Sequence, residues 1–188
     1  MTLITHSGPE TLPIGQPAPD FRNLPGTDNR SYSLDSFSDA KLVVLVFTCN
    51  HCPYAQAYEA RIVALAREYA TRGVAFVAIN PNEVKNYPDD DMQHMKRRAA
   101  EKGFPFPYVR DDDQKVARAY GAVCTPHVFV LDSHRRLAYE GRVDNNWKDQ
   151  AGVKSHDLRN ALEDLLAGRP VKTPNTNPMG CSIKWLAE

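Results

Sequence analysis

Leu42-Val43-Val44-Leu45-Val46-Phe47-Thr48-Cys49-Asn50-His51-Cys52-Pro53 is the stretch on which the fold turns. Its first six residues form an unbroken apolar run rich in β-branched side chains, the pattern of a strand buried on both faces and central in its sheet. Just downstream, Tyr58, Ile62, Leu65, Ala66 and Tyr69 recur at helical spacing, with Gly73 placed to end the helix. Val74-Ala75-Phe76-Val77-Ala78-Ile79 then repeats the buried-strand signature. Strand, helix, strand in this order implies a right-handed parallel crossover, and it puts a Cys-x-x-Cys pair where the first strand gives way to the helix.

Upstream, residues 1–40 carry Pro13, Pro17, Pro19 and Pro25 and read as a loose arm with a short hairpin and little part in the core. Downstream, Met92, Met95 and Ala99 mark a helix closed by Gly103, and Val116, Ala117 and Tyr120 mark a shorter one before Gly121. His127-Val128-Phe129-Val130-Leu131 reads as a third strand, and Leu137 to Val143 as its hairpin partner, so the second half is expected to be antiparallel. Ser155 is the candidate N-cap of a last helix whose apolar face is Leu158, Ala161, Leu162, Leu165 and Leu166. The expectation is an α/β chain of one domain, with a core at about 13–168 and an irregular tail at 169–188 laid over the surface.

With 188 residues the chain is long enough to bury a sizeable core. Lys plus Arg and Asp plus Glu number 23 each, so no global basic field attracts nucleic acid or anionic lipid. No run approaches the ~20 apolar residues that span a bilayer, and no basic-then-apolar leader opens the sequence, so a cytoplasmic location is the default expectation. Four cysteines at 49, 52, 124 and 181 are too few and too unevenly spread for a disulfide-stapled scaffold, which leaves catalytic or metal-binding roles.

A Cys-x-x-Cys serves either half of a zinc site or a redox pair. Here it follows a buried strand and opens a helix, so the positive end of the helix dipole favours a thiolate, assigned to Cys49. Cys49 is then the nucleophile and Cys52, one turn inward, the resolving thiol. His51 lies between them, and a protonated imidazole near a thiolate stabilises the reduced form and makes the disulfide the better oxidant. The alternative is an imidazole that points to solvent without effect. Pro53 is explained by its place at the start of a helix. Thr125-Pro126 stands just before a strand, where either a cis bond or a plain trans turn fits.

Val46-Phe47-Thr48-Cys49-Asn50-His51-Cys52-Pro53-Tyr54-Ala55, the Gly121-Ala122-Val123-Cys124-Thr125-Pro126 loop and Phe129-Val130-Leu131-Asp132 together resemble the thioredoxin-like superfamily, nearest its TlpA-like and peroxiredoxin-like redoxin branch. Gly15-Gln16-Pro17-Ala18-Pro19-Asp20-Phe21 is similar to the opening of a peroxiredoxin. The resemblance implies a central mixed sheet flanked by helices, and a cis-proline loop that sets Thr125 and Pro126 beside Cys49 as a substrate groove. It implies a protein disulfide or a thioredoxin-like thiol donor as partner, and no cofactor beyond the redox-active disulfide. A couple less reducing than thioredoxin's follows from His51. The peroxiredoxin threonine three residues before the reactive cysteine is missing, because that position holds Val46 relative to Cys49, and Cys49 relative to Cys52. Reduction of hydroperoxides through Cys49 is therefore the second reading.

Cys124 reads either as a small buried hydrophobe or as the partner of Cys181, in a second thiol pair that docks the tail over the site through Ile183 and Trp185. Zinc or iron–sulfur ligation by Cys49, Cys52, Cys124 and Cys181 has the right sulfur count but lacks a second close pair, so no metal is expected. The remaining reading is a non-catalytic binding or metal-held module. The other histidines, His94, His127, His134 and His156, read as surface or partly buried. Asp89-Asp90-Asp91 and Asp111-Asp112-Asp113 read as helix caps. No acid suggests itself beneath the cysteines within 41–47, which leaves Glu59 and Glu83 as substitutes.

Overall fold

In the computed structural model, residues 3–4 and 11–187 are described, so part of the expected N-terminal arm lies outside the described residues. The strands are β1 (Leu3–Ile4), β2 (Leu24–Pro25), β3 (Ser31–Tyr32), β4 (Leu42–Phe47), β5 (Val74–Asn80), β6 (Tyr108–Arg110), β7 (Cys124–Thr125), β8 (His127–Leu131), β9 (Leu137–Gly141) and β10 (Gly180–Ser182). The helices are α1 (Pro53–Ala70), α2 (Met92–Lys102), α3 (Lys115–Tyr120) and α4 (Asp157–Leu166). A five-stranded mixed sheet in the order β6-β5-β4-β8-β9 forms the centre. β4 pairs parallel with β5 and antiparallel with β8, so the apolar run is the middle strand, as its pattern predicts.

Alternation along β4 divides the core in two. Val43, Leu45 and Phe47 face a cluster holding α3 residues Val116, Ala117 and Tyr120, while Leu42, Val44 and Val46 face α1 and the α4 residues Leu158, Ala161 and Leu162. Helices thus cover both faces of the sheet. The first cluster also contains Phe21, Leu24, Leu34 and Phe37. The arm is therefore part of the core, contrary to the reading from its prolines, and each such side chain contributes about 2 kcal/mol by burial. The expected hairpin is β2–β3.

Other differences have local causes. β6 runs parallel to β5, so the second half is not wholly antiparallel; three residues behind Pro105 and Pro107 are too few to show a period. The N-cap of α4 is His156, while Ser155 spends its hydroxyl on the Asp157 carboxylate at 2.6 Å. β9 stops at Gly141, which has φ 141° and backs onto the tail so closely that a Cβ would meet the Thr176 hydroxyl oxygen at 2.1 Å. His127 is fully buried, its Nε2 2.8 Å from Glu140 and its Nδ1 accepting the Val123 N–H, and burial lowers its pKa.

The tail is more than a surface strap. β10 pairs antiparallel with β7 on one side and with β1 on the other, and Cys181 and Ile183 are buried. Among the described residues no helix is long and apolar enough to cross a membrane.

Candidate active site

Cys52 is the N-cap of α1 with extended backbone, and Pro53 occupies the first helical turn, where a missing N–H costs nothing. Cys49 precedes it in the turn that leaves β4. The Thr125–Pro126 bond is cis, and Thr125 lies against both sulfurs. Cys49 Sγ lies 3.1 Å from the Thr125 hydroxyl oxygen, and Cys52 Sγ lies 3.2 Å from the Thr125 carbonyl oxygen. The fold thus brings Cys49, Cys52 and Thr125 together.

Cys181 joins them, its sulfur 2.7 Å from that of Cys52 with no bond between them. The tail docks over the dithiol, as its cysteine and apolar anchors suggest, but Cys181 meets Cys52 rather than Cys124. The reason is strand register. Cys181 stands opposite Thr125 and Ser182 opposite Cys124, and directly opposed residues share a face of the sheet. Cys124 therefore points the other way, its sulfur 3.7 Å from the Pro126 carbonyl oxygen, and burial pushes its pKa up.

Exposure does not separate the two thiols of the pair, at 1% for Cys49 and 0% for Cys52. Their electrostatics do. Burial pushes the Cys49 pKa up, whereas hydrogen bonding with Cys49 first, and then with Cys181 and the Ala55 N–H, lowers the Cys52 pKa against its own burial. As a thiol, Cys52 donates its S–H to the Thr125 carbonyl oxygen, which favours the protonated form. Cys52 is the residue at the helix terminus, where the dipole favours a thiolate.

On the other side of the pair stands a polar hub built on Asp90, which is fully buried. Its carboxylate accepts from the Asn50 N–H at 2.6 Å and from the Asn82 amide at 2.9 Å, and it lies 2.6 Å from His51 Nδ1. Tyr108 donates to the Asn50 side chain at 2.8 Å, and Arg110 ties the Asp90 and Asn82 carbonyls at 3.0 and 2.9 Å. Burial raises the Asp90 pKa, but the hydrogen bonds from His51, Asn82 and Asn50 outweigh it and leave the carboxyl below its usual value. The hydrogen bond to Asp90 raises His51, which also stacks on Tyr87 at 5.3 Å.

Asp90 is the residue that sequence reasoning missed. In the Asp89-Asp90-Asp91 run only Asp91 caps α2, by accepting from the His94 N–H at 2.8 Å, and nothing in the sequence distinguishes the middle aspartate from its neighbours. Glu59 instead pairs with Arg98, and Glu83 binds Asn86. Asp111 does serve as a cap, accepting from the Ala117 N–H at 2.8 Å.

Among the described residues, Cys49, His51 and Asp90 bring donor atoms within 4.8 Å of one another. A thiolate, an imidazole and a carboxylate suit a borderline metal such as zinc, but His51 and Asp90 already satisfy each other by hydrogen bonding.

The model of the Redoxin family matches residues 13–162. An uncharacterized conserved protein from Geobacillus kaustophilus is similar over 100% of this chain and 98% of its own, at 37% identity and a TM-score of 0.92. A hypothetical protein from Sinorhizobium meliloti 1021 is similar over 95% of this chain and 97% of its own, at 35% identity and a TM-score of 0.89. A thiol:disulfide interchange protein of the thioredoxin family from Chlorobium tepidum shares the fold over 83% of this chain and 99% of its own, at 20% identity and a TM-score of 0.62. No curated protein gives a significant match. The mixed sheet with helices on both faces and the family match over most of the chain lead to one conclusion: the chain belongs to the Redoxin family, a redox branch of the thioredoxin-like proteins.

Proposed function

We propose that the protein is a thiol–disulfide oxidoreductase in which Cys49 attacks a disulfide and Cys52 resolves the mixed disulfide. The observation that carries this reading is the meeting of Cys49 and Cys52 with Thr125 at 3.1 and 3.2 Å, beside a hub whose Asp90 raises the His51 pKa. Loss of its proton turns Cys49 into the nucleophile. Its sulfur then attacks one sulfur of the substrate and expels the other, and Cys52 attacks Cys49 Sγ and expels the remaining substrate sulfur; the two thiol protons pass to the substrate, leaving a Cys49–Cys52 disulfide and a reduced substrate. Charge on His51 favours the thiolate state, which makes the couple more oxidising than thioredoxin's. A protein disulfide is the proposed substrate, a dithiol donor of thioredoxin type returns the electrons, and a reducing compartment such as the cytoplasm suits the cycle.

The test is capture by the reduced protein of an aromatic disulfide reagent. Cys52→Ser should accumulate the mixed disulfide on Cys49, and Cys49→Ser should give none on residue 49 and lose turnover. A mixed disulfide that accumulates on Cys52 in Cys49→Ser, with none on Cys49 in Cys52→Ser, would reverse the roles.

One observation favours hydroperoxide reduction as a second activity. The Thr125 hydroxyl stands 3.1 Å from Cys49 Sγ, so the cis-proline loop supplies the hydroxyl that Val46 cannot. Attack by Cys49 on the O–O bond would give a sulfenic acid and an alcohol, and Cys52 would then expel water to form the disulfide. Peroxide consumption that is lost in Cys49→Ser and slowed in Thr125→Val would support it.

A further inference from the structure

Three sulfurs meet at this site, and the two-cysteine cycle uses only two of them. Cys181 is 1% exposed and packs with Cys49, Cys52 and Ala55 in one cluster, so no bulk water separates the thiols. Its position is set by main-chain contacts. Gly180 approaches β7 so closely that a Cβ would meet the Thr125 carbonyl oxygen at 2.2 Å, which fixes the depth at which the next residue enters. Beyond it, Lys184 N–H donates to Asn82 at 2.9 Å, the Lys184 carbonyl accepts from Glu83 N–H at 2.9 Å and from Gln114 at 2.8 Å, and Arg118 lies 4.5 Å from the Trp185 ring centre. Asn82 also binds Asp90, so the tail clamp and the hub beside His51 share one residue.

We propose that Cys181 is a third redox-active thiol, which exchanges with Cys52 and latches the tail covalently at the dithiol. The step rests on the reading that Cys49 and Cys52 form the working disulfide. Starting from that disulfide, Cys181 gives up its proton and its sulfur attacks Cys52 Sγ. The Cys52–Cys181 bond forms as the Cys49–Cys52 bond breaks, and Cys49 leaves as a thiolate that takes up the proton. One disulfide and one thiol stand on each side, so no outside oxidant or reductant is consumed. Cys49 is thereby freed beside the Thr125 hydroxyl while the protein stays oxidised, and the dithiol donor must reduce Cys52–Cys181 to close the cycle.

The experiment maps disulfides by mass spectrometry in the full chain after oxidation with stoichiometric oxidised glutathione, acid quenching and alkylation. In the wild type, peptides linked Cys49–Cys52 and Cys52–Cys181 are both expected, with Cys124 alkylated. In Cys49→Ser, checked for a native circular dichroism spectrum, Cys52–Cys181 becomes the main product. The relay is overturned if the oxidised wild type yields the Cys49–Cys52 peptide but no Cys52–Cys181 peptide, and Cys52 of the variant stays glutathionylated; the oxidoreductase reading then survives. A wild type that forms no Cys49–Cys52 disulfide removes both. Because the wild-type partition is read without any substitution, a misfolded variant does not decide the outcome.

Discussion

The segment Cys49–Pro53 and the segment Gly180–Trp185 deliver sulfur to the same few ångströms by opposite means. The first is local: a buried strand, a turn and a helix that starts at Pro53 place two thiols within four residues. The second is non-local, a strand that crosses 129 residues of sequence to put Cys181 against Cys52 through its pairing with β7. Local geometry survives most changes elsewhere, whereas the tail's position depends on register, on Gly180 and on a few hydrogen bonds.

The sharpest way to break the comparison is to remove a thiol from each segment. Cys49→Ser should lower disulfide turnover on the order of a thousandfold or more, as loss of a nucleophile does, measured with the aromatic disulfide reagent. Cys181→Ser should leave the capture of the first equivalent intact and alter only the disulfides found after oxidation. Equal losses from both variants would make the two segments one catalytic unit.

This contrast also shows what could be read from the sequence. Leu42 to Phe47 and Tyr58 to Tyr69 announce themselves by period, because each buries a regular face. β6, β7 and β10 span three, two and three residues and have no period, so they show only in the folded chain. Cys49, Cys52 and His51 were visible as a motif, whereas Asp90 was hidden inside an aspartate run that looked like caps. A Cys124–Cys181 pair overlooks the alternation of faces in β7 that sends Cys124 away, and the other reading of Cys124, a small buried hydrophobe, fits its burial.

Asp90→Asn tests the hub on which the local segment rests. Breaking its buried network should cost about 3 kcal/mol, read by urea unfolding. The His51 pKa is raised on folding from 6.5, so its contribution is fully present below that value and fades as pH rises through the raised pKa. The Asp90 pKa is lowered from 3.8, so its contribution is present above that value and fades as pH falls through the lowered pKa. The difference between wild type and variant should therefore be largest between about pH 4 and 6.5 and shrink on the alkaline side. A difference that does not vary with pH would mean that His51 is neutral in the fold.

Gly180→Val tests the tail. The new side chain must push β10 from β7, which should cost about 2 kcal/mol in thermal or urea unfolding and speed alkylation of Cys52 and Cys181. Unchanged alkylation would mean that the sulfurs are reached without moving the strand. The smallest expected effect is that of His51→Asn, which removes a positive charge near the thiolate. It should lower the reduction potential by about 30 mV, equivalent to about 1.4 kcal/mol, in glutathione buffers. No shift would leave His51 without a part in tuning the pair.

The central claim is that Cys49 and Cys52 are a working redox couple, and a titration of that pair in buffers of oxidised and reduced dithiothreitol or glutathione tests it most directly. In a Cys181→Ser background the account predicts one reversible two-electron transition that is lost when Cys49→Ser is added, with a potential above the value of about −270 mV typical of thioredoxin. A pair that stays reduced or oxidised across the whole range would contradict it.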